Sequence, residues 1–162
     1  MLKIRNAILK DIKSITEIYN EAIVNTNATF DTEKKTINEM KEWFKDHDPK
    51  NPIIVAEKDN VIVGWGALSK YDDKKAYSNT AELSLYVLKD YQEKGIGKNL
   101  MNNLLKEGKK ADIHAVIARI TEGNDVSIYL HKEFGFKKIG TLKEVGKKFN
   151  KILDVHIFEK ML

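Results

Sequence analysis

The sequence predicts a single α/β domain over residues 1–162, built on a mixed sheet that is mostly antiparallel, carries one parallel crossover and is flanked by about four helices. Three observations carry that expectation. Apolar residues switch between alternating and helical spacing in the order β-α-α-β-β-β-α-β-α-β-β. Strand, helix and strand follow one another across residues 80–121, the pattern of a right-handed parallel crossover. Only Pro49 and Pro52 interrupt the chain as prolines, and no low-complexity linker or repeat divides it.

Residues 2–7 alternate as a first strand. From Asp11, whose side chain suits an N-cap, Ile12, Ile15, Ile18, Tyr19, Ala22 and Ile23 recur at helical spacing. A second helix fits Thr36–Lys45, with Ile37, Met40, Trp43 and Phe44 on one side, and Asp46–Pro52 follows as a loop. The stretch PIIVAEKDNVIVGWGALS (52–69) reads as an antiparallel hairpin turning at Lys58–Asn60. In TAELSLYVLKD (80–90), Leu83, Leu85 and Val87 share one strand face, and Glu82, Ser84, Tyr86 and Leu88 share the other. A helix beginning near Gly97 carries Leu100, Met101, Leu104 and Leu105. Residues 114–121 form a buried strand, 124–134 a short helix, and 136–160 a closing pair of strands.

Composition narrows the function. Hydrophobic residues at 42% and charged residues at 32% describe a soluble globular chain. No cysteine is present, which excludes disulfides, thiolate metal sites and a cysteine nucleophile. Four scattered histidines offer no zinc spacing, so no metal is expected. The N-terminus has neither the apolar stretch nor the cleavage site of a signal peptide. No apolar run approaches the ~20 residues that span a bilayer, so the expected location is the cytoplasm, without a membrane partner. The net charge of +4 comes from interspersed lysines and acids, with arginine scarce. Nucleic acid is therefore not an expected partner, although a local lysine patch suits a polyanionic small ligand.

Gln92-x-x-Gly95-x-Gly97 lies between a predicted strand and a predicted helix. A helix start offers unpaired N–H groups and a positive dipole end, and glycine lets the backbone approach an anion. The spacing is not that of a P-loop, because Gly97-Lys98 is followed by Asn99, and it lacks a dinucleotide fold's third glycine. Alone it fits a turn as well as an anion cradle.

One strand later stands Asn124, opening a segment that runs through Ser127 and His131 to Gly135-Phe136. The two motifs together resemble the GNAT acetyltransferase superfamily, whose members carry a Q/R-x-x-G-x-G/A loop for the coenzyme A pyrophosphate and then an Asn-led helix ending in Gly-Phe. IRNAILKDIKSITEIYNEAI, ATFDTE (28–33), ELSLYV (82–87), SIYLHKEFGF (127–136) and GKKFNKILDV (146–155) are similar to its phosphinothricin and methionine-sulfoximine acetyltransferase branch, nearly end to end.

The resemblance implies the GNAT fold and an enzyme that moves the acetyl group of acetyl-CoA to a small primary amine, with an amino-acid analogue as the branch's acceptor. It also implies a homodimer. Acetylation of a protein or peptide amine, and a domain that binds coenzyme A as a sensor, are the alternatives. Such a transfer requires that the amine lose a proton, because an aliphatic ammonium with a pKa of about 10 is mostly charged at neutral pH. Glu82 occupies the position of the family's catalytic glutamate in E-x-S-x-Y-V; Leu85 and Tyr86 nearby would favour its protonated form. The plain alternative is a solvated strand glutamate. His131 occupies the helix position where many GNAT enzymes hold a tyrosine acid and where this branch has histidine; a packing role is the alternative.

For the cofactor, the resemblance assigns the segment Leu85, Tyr86 and Val87 to the pantetheine arm, with Leu85 and Val87 offering backbone groups. Gln92, Glu93, Lys94, Gly95, Ile96, Gly97 and Lys98 would hold the pyrophosphate by N–H groups, Lys94 and Lys98 adding charge. Asn124 would bond the arm near the thioester, and it also suits a helix N-cap. Phe30, Lys74, Glu82, Ser84 and the segment Ser69–Tyr77 would meet the acceptor. There the chain departs from its branch: Tyr71-Asp72-Asp73-Lys74-Lys75-Ala76-Tyr77 stands where relatives tend to carry F-R-x-R-x-A-Y. Without an arginine fork for a carboxylate, either Lys74 or Lys75 supplies the charge or the acceptor is not a free amino acid.

Overall fold

Strand alternation and helix spacing give the sheet two apolar faces, and each finds its own helices. The computed structural model describes residues 1–162. Seven strands form one sheet: β1 (Leu2–Asn6), β2 (Ile53–Lys58), β3 (Val61–Lys70), β4 (Thr80–Val87), β5 (Ala115–Thr121), β6 (Lys137–Lys148) and β7 (Lys151–Met161). Their spatial order is β1-β2-β3-β4-β5-β7-β6, and β4 with β5 is the parallel pair. Four helices cover it: α1 (Ile12–Asn25), α2 (Ile37–Lys45), α3 (Ile96–Lys110) and α4 (Asp125–Glu133). The predicted mixed sheet, its single crossover and its helix count are all present.

On one face α3 buries Leu100, Met101 and Leu104 against Leu68, Leu83, Val116 and Phe158. On the other, α1 and α2 bury Ile12, Ile15 and Met40 against Val55, Trp65 and Ala67. Leu83, Leu85 and Val87 of β4 join the first cluster and Tyr86 the second, as the alternation of 80–90 requires.

Local signals explain most ends. Thr36 caps α2 in a reciprocal box: its Oγ1 accepts from the Glu39 N–H at 3.1 Å, and its own N–H donates to Glu39 Oε2 at 2.7 Å. Asp59 and Asn60 take the left-handed turn that closes the β2–β3 hairpin, with φ of 50° and 65°. Asp11 corrects the expectation placed on it. Its carboxylate does not cap α1; it accepts from the Ile8 N–H at 2.9 Å and from Arg5 at 2.8 and 3.0 Å, closing a short 3-10 turn at Leu9–Asp11. Burial pushes this carboxyl up, but Arg5 and the Ile8 N–H outweigh it and hold it below the usual range.

One irregularity positions the site. β4 and β5 pair only at Thr80–Ala115, Ala81–Val116 and Glu82–Ile117. Beyond Glu82, β4 continues to Val87 along β3 while β5 continues to Thr121 along β7, so the sheet splits. The Leu88 N–H donates to the Val63 carbonyl at 2.9 Å. Counting back by alternation, the main-chain groups of Leu85 and Val87 face away from β3, into the split.

Candidate active site

Glu82 sits at the last paired rung, where the strands part. Its side chain is on the face of α1 and α2, and so is that of Arg119, further along β5. Arg119 Nη2 donates to Glu82 Oε1 at 2.8 Å, and Nε donates to Oε2. The pair corrects the expectation of a carboxylate standing among apolar groups: both oxygens are held by one guanidinium fork. Across β3, Ser69 stands opposite Glu82 in register, and its Oγ lies 2.8 Å from His47 Nε2.

At the far end of β4 the chain enters α3 through Gly95, whose φ of 80° is left-handed and where an added Cβ would meet nothing within 4 Å. No side chain caps this helix. The first N–H to find a helical acceptor is that of Asn99, on the Gly95 carbonyl at 3.1 Å, which leaves the N–H groups of Ile96, Gly97 and Lys98 without acceptors. Gln92 Nε2 donates to the Val87 carbonyl at 3.0 Å, and Glu93 takes a positive φ of 61°. Lys94 Nζ donates to the Asp90 carbonyl at 3.0 Å, and Lys98 Nζ pairs with Glu133 Oε1 at 3.0 Å. The Lys98 pair is exposed, so an arriving anion displaces it at little cost. A Cβ on Gly97 would lie 3.5 Å from Leu130 and 3.9 Å from Leu85, in the gap between α4 and β4.

Asn124 caps α4, its Oδ1 accepting from the Ser127 N–H at 3.3 Å. His131, only 4% exposed, packs edge-on to Phe136 with ring centroids 4.9 Å apart. Its Nδ1 lies 2.7 Å from the Ser127 carbonyl, which can only accept, so Nδ1 carries the hydrogen and Nε2 is a bare acceptor without a partner. Burial lowers the basicity of the ring and outweighs that carbonyl.

On the other side of β4 a cavity of about 270 Å³ opens. Its floor is Trp65 of β3 with Ser84 and Tyr86 of β4; Tyr19 of α1 and Met40 and Trp43 of α2 wall it, and Asp31, Lys35 and Glu39 stand at its polar side. Tyr19, Trp65 and Tyr86 are in mutual contact at centroid distances of 5.0–5.9 Å, and Trp43 meets Trp65 at 5.2 Å. Tyr19 donates its phenolic hydrogen to Asp31 Oδ2. Burial pushes the Tyr86 phenol up to about 12 and the Tyr19 phenol higher still, so both remain neutral.

The structure thus brings Glu82, Ser84 and Tyr86 to one strand face and sets Leu85, Val87 and residues 92–98 along the split. Phe30 and Lys74 are not cavity walls. Lys74 is exposed in a loop whose Asp72 accepts its N–H at 2.9 Å. Phe30 instead seats its ring on Gly146 of the β6–β7 hairpin, where a Cβ would lie 2.1 Å from the ring. Lys148 Nζ donates to the Thr29 carbonyl and Thr121 Oγ1 to the Asn27 carbonyl, each at 2.8 Å, so the loop after α1 is tied to β5 and β6. Gly146→Ala is expected to unseat Phe30 and cost about 1–3 kcal/mol. Thermal unfolding checks this: Phe30→Ala should lower Tm similarly, and the double variant should fall no further than either single one.

Sequence reasoning missed Arg119, Asp31 and Tyr19 as site residues. Arg119 read as part of a buried strand and Tyr19 as helix core; Asp31 carried a signal only as a member of ATFDTE.

Comparison with known proteins agrees with this geometry. Residues 4–157 match the acetyltransferase (GNAT) domain family. The phosphinothricin N-acetyltransferase of Streptomyces coelicolor is 33% identical over 99% of this chain and 96% of its own. The L-methionine sulfoximine/L-methionine sulfone acetyltransferase of Salmonella typhimurium is 30% identical over 99% and 95%. The crystal structure of a phosphinothricin acetyltransferase from Sinorhizobium meliloti in complex with acetyl-CoA superposes with a TM-score of 0.95 at 30% identity, covering 99% of this chain and 88% of that one.

Proposed function

The chain belongs to the GNAT acetyltransferase family, and on that premise we propose that it transfers the acetyl group of acetyl-CoA to the primary amine of a small molecule, directly and within a ternary complex. The observation that carries this reading is the split at Glu82, with free helix N–H groups along one side of β4 and an aromatic cavity on the other. Acetyl-CoA supplies the acyl group as a thioester. The N–H groups of Ile96, Gly97 and Lys98 suit its diphosphate, and the open main-chain groups of Leu85 with the Val87 N–H suit its amide-bearing arm, the Val87 carbonyl being held by Gln92. Asn124, which caps α4, is assigned to bond that arm near the thioester.

Glu82 takes the proton of the incoming ammonium, directly or through water, with Arg119 fixing both carboxylate oxygens in place. His131 serves the departing thiolate only once Nε2 has gained a proton. Burial opposes that gain, so its share is the smaller one. With no cysteine in the chain, no cysteinyl acyl-enzyme intervenes.

Phosphinothricin and methionine sulfoximine, the substrates in the relatives' names, head the amines to be assayed. We further place residues 1–162 in one domain that works as a cytoplasmic homodimer without nucleic-acid or membrane partners. No helix is long and apolar enough to cross a membrane. Exposed apolar side chains on the β6–β7 hairpin, Ile139, Leu142, Val145 and Ile152 among them, support self-association.

Acetyl-CoA at a hundredfold excess over its Kd is expected to add about 2.7 kcal/mol of stability, a rise of roughly 5–10 °C in Tm for a chain of this size. An unchanged Tm at saturating ligand refutes the proposal. Release of free thiol with an amine present then separates a transferase from a binder.

A further inference from the structure

The cavity beside Glu82 carries its own statement about the acceptor, resting on the transfer reading above. Ser84 follows Glu82 on the same strand face, roughly 7 Å along β4, so a molecule whose body fills the cavity presents one end at the split. The walls are rings and one methionine. Aromatic faces hold apolar bodies and attract ammonium groups.

Charge decides the rest. Asp31 and Glu39 bring two carboxylates to the polar side, and Lys35 brings one ammonium. Lys35 Nζ already lies 3.6 Å from Asp31 Oδ1, so no cation there is free of an anion. The chain has two arginines, and both are engaged: Arg5 with Asp11 and Glu57, Arg119 with Glu82. A substrate carboxylate entering this cavity would lose water, find no fork to receive it and face a net negative wall. An ammonium entering it meets the opposite conditions.

We propose that the acceptor is a primary amine with an apolar or aromatic body and no free carboxylate, an arylalkylamine or an amino-acid amide rather than an amino acid. The relatives named above act on amino acids, so this chain departs from them in what it accepts while keeping the transfer itself.

The test uses matched pairs that differ only at the carboxylate: phenethylamine against L-phenylalanine, and L-methionine sulfone amide against L-methionine sulfone, with thiol release followed at saturating acetyl-CoA. The expected result is a kcat/KM at least about tenfold higher for the carboxylate-free member of each pair. Parity, or preference for the acids, overturns the acceptor class and leaves the transferase reading standing. Silence from every amine, with acetyl-CoA still stabilising the protein, overturns both. In Asp31→Asn the preference should shrink toward unity at unchanged acetyl-CoA affinity. An undiminished preference there overturns the assignment to this cavity.

Discussion

Replacing Glu82 with glutamine is expected to lower kcat/KM for the best amine by about 10²–10⁴-fold while leaving acetyl-CoA binding intact. The substitution keeps the size of the side chain and one oxygen for Arg119. It removes the group that can accept a proton at the point where β4 and β5 part. The loss should shrink as pH rises, because an amine with a pKa near 10 then deprotonates by itself and needs the base less. The variant's rate is therefore expected to climb through the alkaline range where the wild type has levelled off. A variant as fast as the wild type at neutral pH would remove Glu82 from the chemistry. A variant that lost acetyl-CoA affinity as well would mark the residue as part of the fold of the cleft.

How much of this was legible in the sequence depends on distance along the chain. Alternation and helical spacing report on neighbours, so the strands, the helices, the two faces of β4 and the capping of α4 by Asn124 could all be read directly. Thr36 and Glu39, three residues apart, already spell a capping box. The Glu82–Arg119 pair could not be read, because its partners lie 37 residues apart and meet only through the parallel register of β4 and β5. The seat of Phe30 on Gly146 was hidden for the same reason, since the ring is placed by a hairpin at the other end of the chain. Asp11 misled for a different one. The residue type and position suit an N-cap, but Arg5 and the Ile8 N–H compete for the same carboxylate and win it.

Gly95 and Gly97 look equivalent in the sequence, yet the structure gives them different work, and this sets the second large effect. Gly95 supplies a left-handed turn, so any side chain there strains the backbone even though space is open. Gly97 lies inside α3, and a Cβ there meets Leu130 and Leu85 only at ordinary contact distances. Gly97→Val should therefore fold with nearly unchanged Tm. Its two methyl groups, however, would stand in the gap between α4 and β4, beside the free N–H groups of the helix start. Acetyl-CoA affinity is expected to fall by at least about tenfold, or roughly 1.4 kcal/mol, as read by titration calorimetry. The ranking of amines should be untouched, because the cavity lies on the opposite face of β4. Unchanged affinity would move the diphosphate away from the start of α3. A changed amine ranking would mean that the two sides of β4 are coupled and that the cofactor and acceptor sites are not separable.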